Sequence, residues 1–207
     1  MAAYKSERRQ QQARATHRDI LRAARRLFAE RGYAATSVAD LAQEAGVAVQ
    51  TIYTSCGSKR ELVLALVDTI DEEAGIAPIA ARQAESDKPE EIVSLAVRLT
   101  RQLNERCGDI ISALLSAASL EPDAAVAAEE GKRRHRDGSA RTATKLEGLG
   151  ALRTGLSPED ATAMLATLTW RPMYAQLTEE HHWSYDQCEE WITTVLTTTL
   201  LRRHQTH

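Results

Sequence analysis

Residues 36–56 read TSVADLAQEAGVAVQTIYTSC, and no other stretch limits what the chain can fold into as tightly. Val38, Leu41 and Ala45 recur at helical spacing and stop at Gly46. After a tight turn, Val49, Ile52 and Tyr53 open a second short run that breaks at Gly57-Ser58. Thr36 is the expected N-cap of the first run, with Asp40 in its next turn. Two short helices joined by a glycine turn form a helix-turn-helix. Val38, Leu41, Ala42, Val47 and Ile52 are the side chains expected to lock the pair together.

The surrounding chain reads as helix throughout. Thr16 with Asp19 three residues on predicts a helix start, and Ile20, Ala24, Leu27 and Phe28 predict its inward face up to about residue 31. Residues 1–15, with Lys5, Arg8, Arg9 and Arg14, read as a loose basic arm or a frayed helix start. Ser58 with Glu61 at capping-box spacing opens a long helix whose inward face is Leu62, Leu66, Val67 and Ile70. From Pro89 onward the stripes Ile92, Ala96, Leu99, Leu103 and Ile110, Leu114, Leu115 continue the helical period. Ser157-Pro158-Glu159-Asp160 is a helix start, Pro172 an interruption, and Ser184 with Gln187 the cap of the final helix. No strand pattern or repeat appears. The expected fold is all-α: a three-helix head over residues 1–61 and a helical body over 62–207 that binds ligand and dimerises.

Charge divides the chain the same way. Residues 1–61 carry 11 Lys/Arg against 6 Asp/Glu, and the remainder carries 15 against 23. A basic head on an acidic body fits a chain whose head alone meets phosphate. At 43% hydrophobic content a sizeable core can form. Cys56, Cys107 and Cys188 are widely spaced, with no CxxC pair, and suggest neither a disulfide framework nor a zinc site. The first residues lack the apolar core of a signal peptide, and the expected compartment is the cytoplasm.

These residues resemble the tetracycline-repressor (TetR) family of bacterial regulators. The resemblance is dense over residues 16–67. It rests on Phe28-Ala29-Glu30-Arg31-Gly32-Tyr33, on Thr36, Val38, Asp40-Leu41-Ala42 and Ala45-Gly46-Val47, on Thr51-Ile52-Tyr53, and on Gly57-Ser58-Lys59 with Glu61-Leu62. A weaker likeness runs from Trp170-Arg171-Pro172-Met173-Tyr174 to Trp183-Ser184-Tyr185 and Trp191. The chain departs from the family pattern at Ser55-Cys56, where His and Phe are usual, and at Ala48, where Ser is usual.

The resemblance implies a DNA-binding regulator, a repressor released from its operator by a small molecule. It implies phosphate contacts from Thr36, Tyr53 and Lys59. Val49, Gln50, Thr51 and Thr54 lie early on, or outward from, the second short helix. Gln50 can read adenine bidentately, and Val49 or Thr51 can touch a thymine methyl. The implied effector site holds Ile70, Leu103, Leu114, Trp170 and Tyr174, suited to an apolar or aromatic compound. Met164, Leu165 and Leu168, with Cys188, Trp191, Ile192, Val195 and Leu196, form two stripes expected to build a homodimer interface. No cofactor or metal is expected. His181-His182 with Cys188 fits no usual ligand spacing, and Lys132 to Arg136 reads as the solvated face of a helix offsetting Glu129 and Glu130. The alternatives are an activator or effector-insensitive regulator of the same family, or an all-helical enzyme or ligand carrier. Against an enzyme, the Ser, His and Asp residues are scattered, with no nucleophile elbow.

Overall fold

The computed structural model describes residues 2–202, with side chains from residue 7 onward, so the side chain of Lys5 lies outside the described residues. Ten α-helices are seen there: α1 (Ala2–Arg31), α2 (Val38–Ala45), α3 (Val49–Cys56), α4 (Lys59–Ala74), α5 (Ala77–Glu85), α6 (Pro89–Ala117), α7 (Pro122–Gly148), α8 (Pro158–Leu168), α9 (Arg171–Ala175) and α10 (Tyr185–Leu200). A π-helical turn, Gln176–Glu180, follows α9 directly. The isolated bridge between Leu152 and Leu201 is the one β-type pairing among the described residues. The fold class is all-α, as the sequence predicts.

Local chemistry sets most helix starts. Ser37, Ser157 and Ser184 sit in extended backbone and accept the N–H of the residue three positions on, while Ser58 and Glu61 exchange hydrogen bonds in a capping box. Three expectations are corrected here. The N-cap of α2 is Ser37, not Thr36. Thr16 caps nothing. α1 runs unbroken from Ala2 because Gln, Ala and Arg favour helix and no breaker lies between residues 2 and 31. Pro172 does not interrupt a helix but lies at the start of α9, where a missing N–H costs nothing. The short helix α5 has no buried residue and leaves no apolar stripe to read.

The chain divides into two compact units. One comprises Met1–Ile70 with Asp109–Glu129, and the other Asp71–Gly108 with Glu130–His207. The head therefore extends past residue 61. α4 is one continuous helix, and its buried Leu62, Val63, Leu66 and Val67 belong to the head unit. That unit also buries Ile20, Leu27 and Phe28 of α1, Leu41 of α2, Ile52 of α3, and Ile110 and Leu114. At roughly 1.5–3 kcal/mol per buried aliphatic or Phe side chain, this face holds α1 to α4 together.

The body unit has its own core. It contains Ile92, Val93 and Val97 of α6, Ala143 and Leu146 of α7, Ala161 and Leu165 of α8, Tyr174, Leu177, and Cys188, Ile192, Leu196 and Leu200 of α10. The expected dimer stripes thus split. Leu165, Cys188, Ile192 and Leu196 are buried within their own chain and are not free to meet a partner. Met164, Leu168 and Val195 keep part of their surface, and Trp191 is 38% exposed, edge-on to Trp183 at 5.9 Å between ring centroids. A helical apolar stripe shows that a face is covered. It does not show which chain covers it.

Candidate nucleic-acid interface

The turn between α2 and α3 is built around Gly46, whose φ of 65° is left-handed and suits a residue without Cβ. Behind it, Val47 N–H donates to Ala42 C=O at 2.9 Å, closing the end of α2. α3 then starts at Ala48, which has N-cap backbone angles (φ −71°, ψ 149°) but no side chain able to cap. Ile52 is the only buried residue of α3. At its far end Gly57 adopts φ 74° and ψ −139°, a region essentially reserved for glycine. The helix is thus fixed by two glycine turns and one deeply buried side chain.

Its remaining surface faces outward. Val49 is 42% exposed and Tyr53 50%, while Gln50 and Thr54 are exposed and Thr51 is half-buried. The Gln50 amide has no partner among the described residues, so its donor and acceptor are open to a base edge. The Thr54 hydroxyl donates within its own helix, 3.0 Å from Gln50 O and 3.2 Å from Thr51 O.

The three phosphate-contact expectations fare differently. Tyr53 is exposed on the outer face of α3. Thr36 is 1% exposed, and its hydroxyl lies 2.9 Å from Gly32 O and 3.3 Å from Leu27 O. It ties the end of α1 to the start of α2 and does not reach a surface, so its phosphate role is withdrawn. The Lys59 ammonium sits 4.0 Å above the centre of the Tyr33 ring. Such a contact contributes about 0.5–2 kcal/mol. Burial holds the Lys59 amine below its usual range and pushes the Tyr33 phenol up to about 12.

Charge in the head is partly neutralised from within. Arg22 pairs with Asp19, Arg26 with Glu44, and Arg25 with Asp109 at 2.9 Å. Asp40 lies 3.9 Å from Arg31, and hydrogen bonds from Ser37 hold its carboxyl below the usual range. The departure at Cys56 also has a structural counterpart. The thiol, 3.3 Å from His17 Nδ1, occupies the end of α3, and the same nitrogen lies 3.1 Å from Ser55 O.

The residues expected to bind an effector do not all belong to one unit. Ile70 and Leu114 fall in the head; Leu103, Trp170 and Tyr174 fall in the body. Within the body, Tyr174 has no exposed surface, and its hydroxyl donates to Val97 C=O at 3.4 Å. Trp170 lies against His135, with ring centroids 4.9 Å apart. Sequence reading missed His135, which turns inward from the basic run and bonds Ala166 C=O at 2.9 Å, while Arg133 and Arg134 clamp Glu130 as a solvated helix face would. It also missed Arg171, buried and paired with Glu179, whose guanidinium would lie 2.9 Å from a Cβ at Gly108. No apolar period marks either residue.

Residues 20–66 match the family model described as bacterial regulatory proteins, tetR family. Over 65 residues the chain is 43% identical to the HTH-type transcriptional regulator TtgR of Pseudomonas putida. That stretch is 31% of this chain and 31% of the relative, so less than a third of the relative's length is matched. Among solved structures, NalD, the secondary repressor of the MexAB-OprM multidrug efflux pump in Pseudomonas aeruginosa, gives a TM-score of 0.73 at 20% identity, over 91% of this chain and 98% of that one. FadR from Bacillus subtilis, solved with stearoyl-CoA, gives 0.71 at 18% identity, over 87% and 97%. At such identities the two structures speak to the fold alone. Among the described residues, no helix is long and apolar enough to cross a membrane.

Proposed function

We propose, from the premise that the chain belongs to the TetR family of bacterial regulatory proteins through residues 20–66, that it is a cytoplasmic repressor of transcription that binds operator DNA as a homodimer. One observation carries this reading: α3 buries only Ile52 and turns Val49, Gln50, Tyr53 and Thr54 outward. α3 is then the recognition helix in the major groove. Gln50 reads a base edge, Val49 and Thr51 meet thymine methyls, and Thr54 borders them. Tyr53 donates to a phosphate, and Lys59 joins it by lifting from the Tyr33 ring.

Dimerisation places the two recognition helices one duplex turn apart, about 34–36 Å. α8 and α10 supply the surface, through Met164, Leu168, Trp191 and Val195, the members of the stripes that their own chain leaves uncovered. Release is assigned to a small apolar or aromatic effector taken up by the body near Leu103, Trp170 and Tyr174. Such a ligand acts only if it binds the DNA-free state more tightly. On this reading the chain is a binding protein and not an enzyme.

Selection of duplexes from a random library by the purified chain tests the proposal. Enrichment of a two-fold-symmetric site, lost in Tyr53→Ala, is expected. A chain that enriches no sequence and retains no duplex at low salt refutes it.

A further inference from the structure

Eight arginines lie along the described length of α1, and they divide sharply. Arg22, Arg25, Arg26 and Arg31 all pair with carboxylates of the head. Arg8, Arg9, Arg14 and Arg18 have no ion-pair partner among the described residues, and Glu7 is the only acid between residues 7 and 18. The division falls between Arg18 and Arg22, just beyond His17, whose Nδ1 lies 3.1 Å from Ser55 O where α1 passes the end of α3.

Every residue from 7 to 14 is exposed, so this stretch serves no core. It is also electrostatically awkward. The first turn of α1 contains no acid, and from Arg8 to Arg18 the like charges repel one another with only Glu7 beside them. An unpaired run of cations there is disfavoured alone and favoured beside anions. Arg8, Arg14 and Arg18 fall within about a third of the helix circumference and span roughly 15 Å, given 100° and 1.5 Å per residue. That span is about four base pairs of duplex at 3.4 Å each.

We propose that the N-terminal half of α1 is a second DNA-contacting surface, on which Arg8, Arg14 and Arg18 engage phosphates flanking the site read by α3. This rests on the DNA-binding reading above and extends it. The partner is the duplex backbone, because guanidinium groups that recur along one exposed face without carboxylate partners match a line of phosphates. The contact is independent of sequence and adds affinity at any site the recognition helix selects. The expected basic arm is thus a continuous rail and not a loose tail.

The test uses the full chain and a duplex selected by the wild type, extended by ten flanking base pairs on each side. Arg8→Gln, Arg14→Gln and Arg18→Gln are combined, and the affinity is followed against salt. The slope of log K on log salt should become shallower by about 2–3 per protomer, since each phosphate contact contributes about 0.9. The footprint should shorten at both flanks, the preferred central sequence should stay the same, and the triple lysine variant should keep the wild-type slope. A glutamine variant with the wild-type slope and footprint overturns this inference alone. A wild type that holds no duplex overturns it together with the DNA-binding reading.

Discussion

Replacing Ala48 with serine adds one hydroxyl at the start of the recognition helix. The backbone there is already prepared for it. Ala48 has φ −71° and ψ 149°, and Ser184 and Ser157, at −70°, 157° and −76°, 154°, each accept an N–H three residues on, at 3.2 Å and 3.0 Å. The same geometry at position 48 lets the serine oxygen accept from Thr51 N–H, which in the present chain donates to Ala48 C=O at 2.8 Å. A serine cap in place of alanine contributes about 1 kcal/mol, within a range of about 0.5–2. α3 is eight residues long and buries a single side chain, so beyond the Thr51 N–H to Ala48 C=O bond little holds its first turn. Hydrogen exchange of the amides at residues 50 and 51 is the direct assay, because local opening of α3 need not follow global unfolding. A gain of about 1 kcal/mol corresponds to roughly fivefold slower exchange at those two amides. Ser37→Ala is the control in the opposite sense and should speed exchange at Asp40 by a similar factor. If Ser37→Ala behaves so and Ala48→Ser changes nothing, the argument from backbone angles is wrong and the first turn of α3 is held by something else.

Other outcomes follow from the same contacts. Gln50→Ala should flatten the preference at one operator position by about 1–3 kcal/mol while leaving the others intact, read from binding to single-base variants. Trp191→Asp with Val195→Asp should turn a sedimenting dimer into a folded monomer, whereas Ile192→Ala should cost about 2–5 kcal/mol in urea unfolding as a core cavity. Burial holds the His135 imidazole below its ordinary 6.5, against the opposing bond to Ala166. The unfolded chain then binds the proton first. Stability should be complete above about pH 6.5 and fall as pH drops below it, and the fall should be smaller in His135→Phe, measured as urea midpoints from pH 5 to 7.5.

The head was legible because its signals are local. Gly46 and Gly57 mark breaks, Ser58 and Glu61 a cap, and Leu41 and Ile52 a spacing, none of which depends on a distant partner. Thr36 and Ser37 were harder to separate. Either can cap, and the choice went to the residue whose neighbour Thr36 could bury its hydroxyl against Leu27 and Gly32 carbonyls. The start of α1 was misjudged because Thr16 and Asp19 imitate a capping box inside a longer helix. In the body, the stripe on α10 gave the covered face correctly but assigned Cys188, Ile192 and Leu196 to a partner when their own chain buries them. Arg171 and His135 were out of reach of the sequence. Arg171 is buried and His135 half-buried against residues from elsewhere in the chain, and a charged or basic residue defaults to solvent unless its partner is known.

The economy of α3 has an evolutionary side. One isoleucine anchors the helix, so changes at Val49, Gln50 or Thr54 should cost within about 0.5 kcal/mol of stability, as surface substitutions do. New target preferences can therefore accumulate with almost no penalty in folding. A library randomised at those three positions should return mostly folded proteins with diverging operators, which makes this head a serviceable chassis for building orthogonal switches.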